Sequence, residues 1–104
     1  MTVQRLSIDV RHETDRVVVV MGGEIDYGNV GRVRSVLVDV VRGTQSEIVV
    51  DMRDVGFVDS TVLGVLVQAK NRLQEAGRSM VIEHLSSRVR RTFELAGALP
   101  FLEA

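Results

Sequence analysis

Two hydrophobic rhythms alternate along this chain, and their alternation restricts the available folds more than any other feature. Val17 to Met21, Ile48 to Met52 and Met80 to Ile82 are short, continuous apolar runs rich in β-branched residues, the pattern of buried strands. Between the first two, Val30, Val33, Leu37, Val40 and Val41 recur at spacings of three and four, with Arg32, Arg34 and Asp39 opposite. Val62 to Ala76 supplies a second helical span. Ahead of these, Leu6, Ile8 and Val10 alternate with Ser7, Asp9 and Arg11, which predicts a half-buried strand. Ser86 or Ser87 opens a last helix that carries Val89, Phe93 and Leu95 and stops near Gly97. The order is β-β-α-β-α-β-α. Strands alternating with helices predict parallel pairs joined by right-handed crossovers. The first two strands flank a tight turn at Glu13-Thr14-Asp15 and pair antiparallel. The expected fold class is α/β: one domain over residues 1–104, with a mixed four-stranded sheet packed against three to four helices.

Glycines punctuate this pattern. Gly22 and Gly23 end the second strand, Gly43 suits a C-terminal helix cap, and Gly77 stops the second helix. Valine lowers helix propensity over 30–41, but the periodicity outweighs it. The Val17–Met21 run predicts a strand covered on both faces. No repeat, linker or low-complexity tract interrupts the 104 residues, which suit one compact domain.

Composition narrows the function classes. A formal net charge of −1 gives no excess that points to nucleic acid or an anionic membrane. One Tyr, three Phe and no Trp argue against a base-stacking platform. The lack of cysteine excludes disulfides, zinc–thiolate sites and thiol catalysis. No stretch approaches the roughly 18 apolar residues of a membrane span. Met1 to Val10 is charged and alternating, unlike a signal peptide, so the expected location is the cytoplasm.

The residues most able to carry chemistry are Asp59-Ser60-Thr61, a polar tripeptide between a strand and a helix. Their structural reading is a cap, with Asp59 or Ser60 accepting from first-turn N–H groups for about 1 kcal/mol. Their functional reading is a phosphoacceptor: a phosphate adds a charge of about −1.5 to −2 beside those N–H groups. Val62, Leu63, Val65, Leu66 and Val67 are apolar nearly all round the helix. Either the helix start is buried, or some of these side chains form an exposed partner patch beside Ser60. Glu24 and Asp26, in the loop leaving the second strand, fall near the Ser60 loop if the strands are parallel, and suit contact with a basic partner. In the same loop Asp26 or Asn29 caps the first helix.

Other constellations are weaker. Asp51, Asp54 and Asp59 lie close in sequence, but the first two fit a solvated strand end and turn. His12 and His84 lack metal-ligand spacing. Gly22-Gly23 is too short for a dinucleotide fingerprint, and no nucleophile elbow surrounds Ser60. Arg88, Arg90 and Arg91 read as the solvated face of the last helix.

Taken together, these stretches resemble the STAS domains, in particular the bacterial anti-sigma factor antagonists. Gly23-Glu24-Ile25-Asp26 resembles the family's Gly-Glu-Leu-Asp after its second strand. Val50 to Ser60 resembles the strand and loop before its phosphorylated serine, and Leu63-Gly64-Val65-Leu66 continues the match. Ser86 to Leu99 resembles the final helix and its exit. The resemblance implies a protein that binds an anti-sigma factor, itself a serine kinase, and so releases the sigma factor. It implies phosphorylation at Ser60, loss of binding on phosphorylation, and reversal by a phosphatase of the PP2C type. ATP or ADP belongs to the kinase, so no cofactor or metal is expected here. The implied partner-binding residues are Glu24, Asp26, Asp59, Ser60, Thr61, Val62, Leu63 and Leu66, in a monomer or weak dimer. The family often has Ser-Gly after the phosphoserine, where this chain has Thr61-Val62, so Thr61 is the second candidate for modification. The tail to Ala104 is short for the family.

Two other readings stand beside this one. The chain could be a non-catalytic scaffold or sensor module of a larger signalling assembly. It could also be a small hydrolase or transferase with Ser60 as nucleophile, which needs an oriented base. Only His12 and His84 are available, and no pattern places either near Ser60.

Overall fold

The structure, a computed structural model, describes residues 5–102, with side-chain detail through Pro100. Four strands and four helices follow in order: β1 (Ser7–His12), β2 (Arg16–Ile25), α1 (Val30–Val41), β3 (Glu47–Val58), α2 (Ser60–Glu75), β4 (Ser79–Glu83), α3 (Ser87–Leu95) and the single turn α4 (Leu99–Leu102). The sheet order is β1-β2-β3-β4. β1 pairs antiparallel with β2, while β2–β3 and β3–β4 are parallel. The mixed α/β fold expected from the two rhythms is therefore the fold found.

Register explains the core. Val17 pairs with Ile48 and Ile48 with Met80, while Val19 pairs with Val50 and Val50 with Ile82. These side chains share the inward face and are all buried. They form one cluster with Val33 and Leu37 of α1, Leu66 and Leu73 of α2, and Val89 and Phe93 of α3. The expectation that β2 is covered on both faces is met on this face only. On the other face Val18 and Val20 stay half-buried. There Val49, between Val18 and Val81 in register, is the one buried apolar residue outside the cluster among the described residues.

Two strand ends differ from the sequence expectation. Gly22 and Gly23 do not end β2, which runs on to Ile25. A Cβ on Gly22 would stand 2.7 Å from the Ser7 hydroxyl oxygen and 3.2 Å from the Asp54 Cβ, so glycine admits the close approach of both neighbours. Gly23 has φ +88°, next to a register shift. These glycines bend β2 through irregular pairing and carry it to the Ile25–Val58 pair. β3 likewise continues past Met52 to Val58, so Asp51 and Asp54 lie within a strand and not at its end. The reason is edge exposure: β4 pairs with β3 only as far as Asp51, and beyond that point β3 has one neighbour and tolerates polar residues.

The helix ends follow local rules. Gly77 and Gly97 adopt φ +71° and +69°, and Arg78 and Ala98 donate back to the Leu73 and Phe93 carbonyls in the manner of left-handed helix exits. The Ser86 hydroxyl accepts from the Val89 N–H at 3.2 Å and caps α3. Arg78 ties the end of α1 to the loop before β3, donating to the carbonyls of Gln45 at 2.7 Å and Val41 at 2.5 Å.

Candidate functional site

Because β2 and β3 are parallel, their C-terminal ends share one edge of the sheet, and the loops that follow them meet there. Asp59 laces those loops together. Its backbone N–H donates to the Ile25 carbonyl at 3.3 Å. One carboxylate oxygen accepts from the Tyr27 N–H at 3.0 Å. The other accepts from the Thr61 N–H at 3.0 Å and from the Thr61 hydroxyl. Asp59 is thus the N-cap of α2, with extended backbone, which decides between the two cap candidates.

The Asp59 carboxyl is held below the ordinary carboxylate range. Partial burial pushes it up, but the Thr61 hydroxyl and the N–H groups of Tyr27, Thr61 and Val62 outweigh that effect by favouring the charged form. A fixed negative charge therefore stands one residue before Ser60.

Ser60 and Thr61 are both exposed, but they are not equivalent. The Thr61 hydroxyl is committed to Asp59. The Ser60 hydroxyl, at the first position of α2, makes no hydrogen bond among the described residues. It stands beside backbone N–H groups at the positive end of a 16-residue helix.

The preceding loop is rigid in its own right. The Asn29 side chain accepts from the Asp26 N–H at 2.9 Å and donates to the Glu24 carbonyl at 2.9 Å. The Asp26 carboxylate accepts from the Gly28 N–H at 2.8 Å, and its carbonyl accepts from the Asn29 and Val30 N–H groups. Asn29 occupies the N-cap position of α1 without making a side-chain cap bond, because its amide is spent holding this turn. Asp26 is exposed, and Glu24 partly so.

The apolar residues of α2 correct the expectation of an exposed partner patch. Val62 and Leu66 are 0 % exposed, and Leu63 is 4 % exposed. The apolar side chains at the start of the helix are spread widely because they pack on several elements: the helix contacts α1, β4 and α4 as well as contributing to the common core. Val62, Leu63 and Leu66 therefore hold the helix in place, and Ser60, Thr61, Gly64 and Gln68 form its exposed side near the start.

The side chain that sequence reasoning passed over is Tyr27. It is 80 % exposed, and with Leu95 it is one of two large exposed apolar side chains among the described residues. Its position inside Asp26-Tyr27-Gly28, a turn signal after a strand, is what could have marked it. Nearby, Phe57 pairs in register with Glu24 and lies under the Arg88 guanidinium, 5.4 Å from the ring centre. Arg88 is thus drawn from the solvated basic face toward the β3 end.

The remaining candidates are spread out. Asp51 accepts from the Arg53 N–H at 2.9 Å, Asp54 pairs with Gly22, and Asp59 caps α2. No metal-holding group of three carboxylates or imidazoles gathers among the described residues. The exposed His84, at φ +62°, accepts from the Arg53 guanidinium at 3.1 Å, and His12 ends β1.

A model of the STAS domain matches residues 7–103. The chain belongs to the STAS domain family. An anti-sigma-B factor antagonist of Listeria monocytogenes is 31 % identical over 100 residues, which is 94 % of this chain and 87 % of that protein. The anti-sigma factor antagonist SpoIIAA in its unphosphorylated form superposes with a TM-score of 0.81 at 22 % identity, over 94 % of this chain and 88 % of that one. The Bacillus cell-fate determinant SpoIIAA in its phosphorylated form gives 0.72 at 21 % identity, over 94 % and 91 %. The STAS fold expected from the motifs is thus shown by family, by relatives and by shape. No helix among the described residues is long and apolar enough to cross a membrane.

Proposed function

We propose that this STAS protein is an anti-sigma factor antagonist. It binds an anti-sigma factor that is also a serine kinase, releases the sigma factor held by it, and is switched off by phosphorylation of Ser60. A PP2C-type phosphatase restores the binding form, and the exchange takes place in the cytoplasm. The names of the curated relatives support the antagonist role. The observation that carries the switch is the contrast between two neighbouring hydroxyls: Ser60 is exposed and unbonded, while Thr61 is tied to Asp59.

The physics of the switch follows from position. Backbone N–H groups at the start of α2 tolerate a phosphate, by roughly 0.3–1 kcal/mol for a surface charge. The fold is kept because no core side chain has to move. A docked partner, by contrast, meets a new dianion next to the ionised Asp59, in a contact from which water is being removed. Ser60 has no hydrogen-bonded base among the described residues, which supports a binding protein over a serine-nucleophile enzyme.

The test is incubation with candidate kinase anti-sigma factors and ATP, followed by mass mapping. A single phosphate on Ser60 is expected, with none on the Ser60→Ala chain. Phosphate on Thr61 of the native chain would contradict the assignment.

A further inference from the structure

With Val62, Leu63 and Leu66 buried, the docking face around Ser60 needs another source of apolar contact. We propose that Tyr27 is its aromatic anchor: a ring held out from the β2–α1 turn that enters an apolar slot on the kinase partner, a slot rimmed by lysine or arginine. This inference rests on the antagonist reading and adds the residue that supplies affinity.

Three observations carry it. Tyr27 is 80 % exposed, and nothing in the fold uses its ring. Tyrosine is enriched among residues that dominate binding energy, because it offers large area with few rotatable bonds. Next, the backbone beneath it is fixed in advance. Asn29 and Asp26 close the turn with five hydrogen bonds among residues 24, 26, 28, 29 and 30, and the Tyr27 N–H sits on the Asp59 carboxylate. A side chain on a rigid turn loses little freedom on binding. Finally, that last hydrogen bond ties the ring's own backbone to the cap of the Ser60 helix, so the aromatic group and the modified hydroxyl belong to one surface. Leu95, the other large exposed apolar residue, closes the C-terminal turn of α3 and has no such link.

The partner's chemistry follows from the surroundings. Asp26 and Glu24 precede Tyr27 in sequence, Asp59 holds it from across the loop, no lysine or arginine lies in residues 17–31, and the one cation drawn toward this end, Arg88, lies over Phe57 beside Glu24. An apolar slot with a cationic rim is complementary to this arrangement. A phosphate added at Ser60 disturbs the same contact, since it brings a further charge of about −1.5 to −2 beside the ionised Asp59.

The test compares Kd for the kinase that modifies Ser60, measured by calorimetry with the full chain, for native protein, Tyr27→Ala, Tyr27→Phe and Leu95→Ala. Tyr27→Ala should weaken binding at least ~30-fold, as expected for a tyrosine hot spot. Tyr27→Phe should stay within about threefold, and Leu95→Ala within about twofold. Thermal unfolding of Tyr27→Ala should match native protein, which separates lost contact from lost fold. Tight native binding with Tyr27→Ala unchanged overturns the anchor and leaves the antagonist reading intact. Failure of the native chain to bind any such kinase overturns that reading, and the anchor with it.

Discussion

Replacing Asp59 by alanine removes three hydrogen bonds and one charge at once, and the structure sets the size of the loss. The cap bond to the Thr61 N–H is worth about 1 kcal/mol. The bonds from the Thr61 hydroxyl and the Tyr27 N–H are exposed, so water replaces them, and each contributes near the lower end of ~0.5–1.5 kcal/mol. The sum is about 2 kcal/mol, or a fall in Tm of roughly 8–16 °C for a domain of this size. The pH dependence has a defined sign. The folded carboxyl titrates below its unfolded value, so its stabilisation is complete above the unfolded pKa of about 4 and fades as pH falls through the folded one. Urea midpoints of native and Asp59→Ala protein should therefore differ most at pH 7 and converge below about pH 4. Equal midpoints at pH 7, or a gap that persists unchanged to pH 3, would refute the role given to Asp59.

Two further substitutions probe the glycines around the site. Gly64 is an exposed, mid-helical residue with nothing within 4 Å of an added Cβ. Gly64→Ala should thus raise unfolding free energy by up to ~1 kcal/mol in a denaturant titration. If the docking face needs the close backbone approach that glycine gives, the same variant should bind the kinase more weakly. Gly22→Ala should destabilise the fold by roughly 1–3 kcal/mol, because its methyl meets Ser7 and the backbone-proximal Cβ of Asp54, and thermal unfolding reads the loss directly.

The elements legible in the sequence were those whose hydrophobic period matches their burial. β1, α1 and α3 have one covered face and show it. What stayed hidden has physical causes. Gly22 and Gly23 look like strand ends because glycine usually weakens a strand, yet here it admits close neighbours and an irregular register. The outer half of β3 looks like a loop because Arg53, Asp54 and Gly56 stand where β4 has ended. The all-round apolar start of α2 fits an exposed patch or a central helix equally well. Only the packing of α1, β4 and α4 decides between them. Which of the two hydroxyls is tied to Asp59 depends on where each points, and sequence spacing carries no record of that. Tyr27 escaped notice because a lone aromatic residue in a turn signals nothing until its exposure is known.

The central claim is that one charge at Ser60 abolishes docking while the fold stays as it is. The most direct measurement takes the chain phosphorylated by its kinase and the unmodified chain, and compares Kd for that kinase and Tm side by side. The account predicts a loss of binding of at least ~100-fold, the scale of several kcal/mol for an unpaired charge in an interface, with Tm shifted by only a few degrees. Equal affinity of the two forms would contradict it, and so would lost binding accompanied by a collapse of Tm.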